Sequence, residues 1–576
     1  MTTLYPVSFA RKILFGTLAS SFLACGALAQ NAGPSSSSPV SIQVDFSKNK
    51  GPMKPIWAFF GYDEPNYTYM KDGQKLLTEI SKLSKVPVNV RVHSLLVTGN
   101  GEASLKWGST NAYTEDAAGK PVYSWTIIDK IFDTYIQRGM KPIAQIGFMP
   151  EALSTHPDPY KHHWEPDLKH GDIYTGWAYP PKDYEKFANL VYEWVKHSVA
   201  RYGKAEVESW YWELWNEPDI SYWKGTVEEY CKLYDYTSAA VKRALPTAKI
   251  GGPEVTGPSA PRAGAFMKTV LDHITSGQNY VTGKTGSPID FVTFHAKGAP
   301  RLVNGMVQMN MGKQLRDIDK GFEIIASYHS LKNLPIIIGE SDPEGCAACS
   351  EDFSPQNAYR NGTMYSSYTA ASFARKYDLA ENRGVNLHGA VTWAFEFENQ
   401  PWFRGFRDLA TNGVDKPVLN VFRMFGMMQG NRVEVSQGTD YNFLSIRDSS
   451  VRGEKSDINA LAARDQKSAT VMVWNYHDNN DLTAPGTMVS LNLKGLPAGK
   501  VMLKHYRIDK DHSNAYEVWK KMGSPQQPSA SQVAELEKAG QLQQLNAPKE
   551  ITVKNNETTA QVDLPRQGVS LLQLTW

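Results

Sequence analysis

The sequence predicts an α/β protein, a closed (β/α)8 TIM barrel followed by a C-terminal β-sandwich. Three observations carry that expectation. Across residues 56–428, eight short apolar runs alternate with segments of helical periodicity, the pattern of repeated βα units. Two of those runs end on a glutamate beside aromatic or glycine residues, where barrel enzymes place their chemistry. Beyond about residue 430 the long helical segments give way to closely spaced strand-like runs, the texture of a sandwich.

In chain order, residues 1–29 read as a signal peptide. Arg11 and Lys12 precede a mostly apolar stretch, and Ala27-Leu28-Ala29 supplies small residues for cleavage. Export to the periplasm or the extracellular space is the expectation, without stable membrane insertion after cleavage. Cys25 leaves a lipoprotein alternative open. Residues 30–55 read as a linker with a possible extra sandwich strand.

The candidate barrel strands are 56–61, 86–92, 142–148, 210–215, 249–253, 291–295, 334–339 and 386–395. Residues 184–202 and 227–245 are amphipathic enough to be helices between them. This order puts Glu217 after the fourth strand and Glu340 after the seventh, on one rim of a closed barrel. No Gly-x-Gly-x-x-Gly turn follows the first strand, which argues against a dinucleotide fold. Residues 429–576 form the expected sandwich, with strands near 471–476, 489–493, 501–508, 551–553 and 569–574. The polar tract 524–544 is a helix or long loop between them.

With 61 basic against 59 acidic residues, the chain has no bias toward polyanions, and nucleic acid is not an expected partner. Fifteen Trp and 28 Tyr supply flat rings suited to the C–H faces of sugars, alongside ordinary packing duties. Only four cysteines occur, so no dense disulfide framework holds the fold.

Paired strand-end glutamates point to glycoside hydrolysis, in which one carboxyl donates a proton while the other attacks or activates water. The chain resembles glycoside hydrolase family 39, near its bacterial β-xylosidases, from about Trp57 to the C terminus. The resemblance rests on Arg91-Val92-His93-Ser94, Gly147-Phe148-Met149-Pro150, Trp215-Asn216-Glu217-Pro218, Phe294-His295-Ala296, Gly339-Glu340 and Thr392-Trp393-Ala394-Phe395. It continues through Gly413-Val414-Asp415-Lys416-Pro417 and Tyr506-Arg507-Ile508-Asp509. Asn-Glu-Pro alone indicates only the wider clan of retaining barrel hydrolases, and the sandwich matches narrow it.

The resemblance and the strand-end pattern together assign Glu217 as general acid/base and Glu340 as nucleophile. Asn216 is expected to hydrogen-bond the sugar 2-hydroxyl, and His93 and His295 to contact the sugar or orient the carboxylates. Arg91 is expected to support Glu340 or another rim acceptor. Trp393 is the expected sugar platform, with Phe148, Trp177 and Phe397 as pocket walls. Glu398 resembles a further sugar-binding carboxylate, with Glu396 as its competitor. Cys346 and Cys349, in the loop after the nucleophile strand, read as a small disulfide clip or as two thiols near the pocket rim, and neither a metal nor a cofactor is expected. The resemblance implies exo-acting β-1,4-xylosidase activity on xylooligosaccharides. The alternatives are β-glucosidase, β-galactosidase, arabinosidase or exopolysaccharide hydrolase activity, and a noncatalytic carbohydrate-binding role. The oligomeric state is not readable from the residues.

Overall fold

A computed structural model describes residues 39–165, 173–439 and 441–576. The expected signal peptide, with Cys25, and the first part of the expected linker lie outside these residues. Among the described residues, no helix is long and apolar enough to cross a membrane.

Eight parallel barrel strands run in sequence order: Phe59–Tyr62, Asn89–Val92, Lys141–Ile146, Tyr211–Leu214, Lys249–Val255, Phe291–His295, Ile336–Glu340, and an eighth broken at Val391 into Leu387–Ala390 and Thr392–Trp393. The break closes the circle. The first half of the eighth strand pairs with the seventh, and the second half pairs with the first through Thr392 opposite Phe60 and Trp393 opposite Gly61. Strand residues are almost wholly buried because one face meets the outer helices and the other fills the lumen. Phe59, Ile143, Tyr211, Phe291, Ile337, Val391 and Trp393, from six strands, pack against one another as that lumen core.

The helices start where local chemistry lets them. Asp183 accepts from the Lys186 amide to begin Tyr184–Tyr202. Thr226 and Glu229 form a capping box ahead of Val227–Ala244. Each helix lays its apolar face on the barrel, so the strand-to-helix loops collect at the C-terminal rim.

The C-terminal strands hydrogen-bond into one ten-stranded sheet. Val40–Pro52, from before the barrel, lies inside it, antiparallel to Asn431–Gln437 and parallel to Thr487–Lys494. Val501 and Val553 near one end of the strand order share a core with Leu491 and Val562 near the other, so the sheet rolls over onto itself as a sandwich. The tract near 524–544 contains the helix Ala530–Gly540, begun by a Ser529–Gln532 capping box.

Candidate active site

Strand four delivers Glu217 just beyond its end. Trp215 and Glu217 adopt φ of 67° and 44°, a left-handed conformation unfavourable for side chains of this size, which turns the chain sharply off the strand end. The Glu217 amide donates to the Glu254 carbonyl at 2.8 Å, which fixes the turn against strand five. Strand seven delivers Glu340 with its carboxylate almost buried, and strand six delivers His295 between the two. His295 Nδ1 is 2.9 Å from Glu217 and 3.8 Å from Glu340. Nearest oxygens of Glu217 and Glu340 lie within 4.8 Å of each other.

The electrostatics around the two glutamates differ. Burial pushes Glu340 toward the protonated form, but Lys297 at 2.5 Å, then His295 and His93, outweigh it and hold the carboxyl well below its usual range. Glu340 is therefore an anion. His93 is itself kept from charging, first by burial and then by Arg91, and its Nε2 sits 3.3 Å from Glu340 and 3.4 Å from Asp63. His295 behaves oppositely: burial disfavours its charge, yet Glu340, Glu254 and Glu217 raise it to about 10, so it is an imidazolium.

Arg91, fully buried, bonds Glu213 at 2.5 Å and the Asn216 side-chain oxygen at 3.1 Å, with Glu340 at 3.6 Å. Its principal partners are thus Glu213 and Asn216 rather than Glu340. Fixing the Asn216 oxygen on Arg91 leaves the amide's donor end for a substrate hydroxyl.

Asn216, Glu217 and Glu340 line a pocket of about 290 Å³ with Tyr174, Lys297 and Arg407. A recess sharing Asp63, Lys106 and Tyr222 with it is walled by His93, Phe148 and Trp177. The Phe148 ring packs 4.7 Å from Trp177 and 5.5 Å from Tyr222, an aromatic wall containing both expected rings.

Three expectations change. Trp393 is fully buried beneath the site: its indole N–H donates to Asp63 at 3.0 Å and its ring carries the Arg91 guanidinium. Gly61 makes this possible, because a Cβ there would meet the Trp393 ring at 2.3 Å. Trp393 is a floor, not an exposed platform. Phe397 packs edge-on against Tyr67 and Phe406 in the core, away from the pocket lining. Glu398 accepts from the Asp72 amide at 2.9 Å in the first turn of the helix Lys71–Ser81, and so serves that helix end. Its competitor Glu396 is buried, accepts from the Gly413 amide at 2.5 Å, and is driven up toward the neutral acid chiefly by burial.

Sequence reasoning missed Asp63, Lys106, Glu254, Lys297, Tyr222 and Arg407. Asp63 and Glu254 carried a usable signal, since each stands at the end of an apolar strand as Glu217 and Glu340 do. Lys297 stood two places beyond His295. Arg407 comes from a loop with no strand-end cue. Cys346 and Cys349 are disulfide-bonded. Buried Arg360 holds their loop by donating to the carbonyls of Cys346 at 3.1 Å and Cys349 at 3.3 Å.

The sequence profile of the glycosyl hydrolases of family 39 matches residues 40–556, which span both the barrel and the sandwich. The chain belongs to glycosyl hydrolase family 39. Among family 39 relatives, a β-xylosidase of Caldicellulosiruptor saccharolyticus is 28% identical over 78% of this chain and 83% of its own length. An α-L-iduronidase of Mus musculus is 23% identical over 86% of this chain and 75% of its own. The crystal structure of a monomeric β-xylosidase from Caulobacter crescentus superposes with a TM-score of 0.71 at 22% identity, covering 93% of this chain and 99% of that one. This family 39 chain is therefore a glycosidase with an oligosaccharide substrate.

Proposed function

We propose that the chain is a retaining, exo-acting β-1,4-xylosidase that releases xylose from the nonreducing ends of xylooligosaccharides. The carboxylate separation carries the retaining half of this reading. Oxygens of Glu217 and Glu340 within 4.8 Å of each other fit the close pairing, roughly 5–5.5 Å between carboxyl groups, that direct attack requires. Ionised Glu340 attacks the anomeric carbon while Glu217 protonates the departing oxygen, giving a glycosyl ester on Glu340 and a free alcohol. Glu217, now a carboxylate, takes a proton from water, whose oxygen attacks the same carbon and releases Glu340.

Xylose specificity draws on the β-xylosidase relatives and on the size of the pocket, which lies at the lower end of the roughly 300–1,000 Å³ usual for ligand sites. Xylose lacks the exocyclic hydroxymethyl group of glucose, so a close wall near C5 discriminates between them. One observation favours a second reading. Lys106, Lys297 and Arg407 all line the pocket, as a sugar carrying a carboxylate would require, and iduronidases are among the relatives. Against it, Lys297 pairs with Glu340 at 2.5 Å, Arg407 with Asp342 at 2.5 Å and Lys106 with Asp63 at 3.2 Å, so each cation already faces a carboxylate of the protein.

A panel of aryl glycosides tests both readings. The β-xyloside is expected to give the highest kcat/KM, at least tenfold above the β-glucoside, a ratio that clashes of about 1–3 kcal/mol supply. Preference for an α-L-iduronide supports the second reading, and preference for a β-galactoside or an α-L-arabinoside overturns both. No turnover of any member or of xylooligosaccharides removes the glycosidase reading.

A further inference from the structure

We propose that Glu254 is a positioning residue for the general acid: it fixes His295 as a two-sided donor and so directs the proton of Glu217 to the leaving group. This rests on the assignment of Glu217 as acid/base.

Glu254 stands at the end of strand five with φ of 52° and a fully buried side chain. One of its oxygens is in ion-pair contact with His295 Nε2, and Arg91 lies 3.5 Å from the same oxygen. The opposite ring nitrogen of His295 faces Glu217 at 2.9 Å. Room for the Glu254 carboxylate is provided by strand seven: a Cβ on Gly339, the residue before Glu340, would meet Glu254 Oε1 at 2.2 Å. A glycine beside the nucleophile thus admits a carboxylate that itself lines no part of the pocket.

The chemistry follows from the ring. A neutral imidazole carrying its proton on Nε2 would present a lone pair to Glu217 and accept the acid's proton, taking it away from the substrate. With a carboxylate at Nε2 and a proton on each nitrogen, Nδ1–H can only donate. Glu217 then accepts from His295 on one oxygen and keeps its own proton on the other. Every charged group near the ring takes part in this balance. Glu217, Glu254 and Glu340 face it from strands four, five and seven, while Arg91 and Lys297 lie beyond Glu254 and Glu340. Glu213, behind Glu254, is driven toward the neutral acid first by burial and then by Glu254. Glu254, which burial would neutralise, is held at about 2 by Arg91 and His295.

The test is Glu254→Gln in the full chain, assayed with aryl glycosides of graded leaving-group acidity and followed by imidazole ¹⁵N NMR. The expected loss in kcat/KM is at least tenfold for a poor leaving group, within the roughly 10²–10⁴ of general acid catalysis, and below about threefold for dinitrophenolate. His295 is expected to titrate at lower pH than in the wild type, with the alkaline limb of kcat/KM moving down with it. Glu254→Asp, which keeps the charge, is expected to recover part of both effects. An equal loss for all leaving groups, or an unmoved His295 titration in a folded variant, overturns the proposal. Should Glu254→Gln not fold, the same two readouts on Glu254→Asp, expected to shift in the same direction by less, decide the matter. Failure of the glycosidase reading is distinct: wild-type protein would then turn over no aryl glycoside, while the NMR comparison would still report whether Glu254 sets the state of His295.

Discussion

At the scale of single residues, the two glutamates differ because of what surrounds them. Glu340 meets Lys297, His295 and His93, whereas Glu217 meets His295 and is the more accessible of the two. With the proposed roles, removing Glu340 should therefore behave unlike removing Glu217. Glu340→Ala is expected to lose turnover of every glycoside, with azide restoring attack and yielding a glycosyl azide of inverted configuration. Glu217→Ala should retain far more activity on an activated aryl glycoside than on a natural alcohol leaving group. Azide rescue with inversion in Glu217→Ala instead would exchange the two roles. The pH dependence has a defined sign. Because Glu340 must be ionised and its folded-state pKa is depressed, activity persists below the usual carboxylate range and is lost only as pH falls through that depressed value. Lys297→Met removes the largest opposing charge, so the acid limb of kcat/KM should move to higher pH. An unmoved limb would mean that the histidines alone hold Glu340 ionised.

At the scale of elements, the loop after strand seven joins Glu340, the proposed nucleophile, to the pocket rim. A disulfide closing so short a loop contributes about 2 kcal/mol of ordering, and Arg360 with Arg407 adds contacts independent of it. The double variant Cys346→Ser/Cys349→Ser is therefore expected to raise KM and speed hydrogen exchange in the loop while the barrel's circular dichroism is unchanged. Unaltered exchange in that segment would show that the arginines suffice. The elements themselves were largely legible in the sequence. Tyr211–Leu214 and Ile336–Glu340 are buried throughout and read as mostly apolar runs because both faces of a barrel strand are covered. Less legible were Asp457–Arg464, whose Ala-Leu-Ala-Ala core reads equally as helix, and Glu557–Leu564, an edge strand whose exposed face is polar. In the site, carboxylates on strand ends could be read, but Phe397 and Glu398 could not be placed. They lie in the long connection after the eighth strand, where periodicity gives no register. Trp393 was placed on the right strand, yet its burial depends on Gly61, far away in sequence and adjacent only once the barrel closes.

At the scale of the whole molecule, barrel and sandwich are interlocked. Val40–Pro52 precedes the barrel yet is paired on both sides within the C-terminal sheet, and buried Arg375 from the helix Thr363–Arg383 pairs with sandwich Asp457 at 2.9 Å. Phe46→Ala, in that strand's buried face, is expected to destabilise the protein by about 3–5 kcal/mol, read as a lower Tm, with kcat unchanged where the protein is still folded. A lowered kcat at full folding would couple the sandwich to the chemistry. The proposed function turns on one bond, that between Glu340 and a sugar. The most direct measurement is mass spectrometry of peptides from enzyme inactivated with an activated 2-deoxy-2-fluoro-β-xyloside, which slows breakdown of any glycosyl ester. Double displacement at this site predicts one fluoroxylosyl unit on the peptide carrying Glu340 and none on that carrying Glu217. A label on Glu217, or an unlabelled enzyme that still releases product with inverted anomeric configuration, would contradict it.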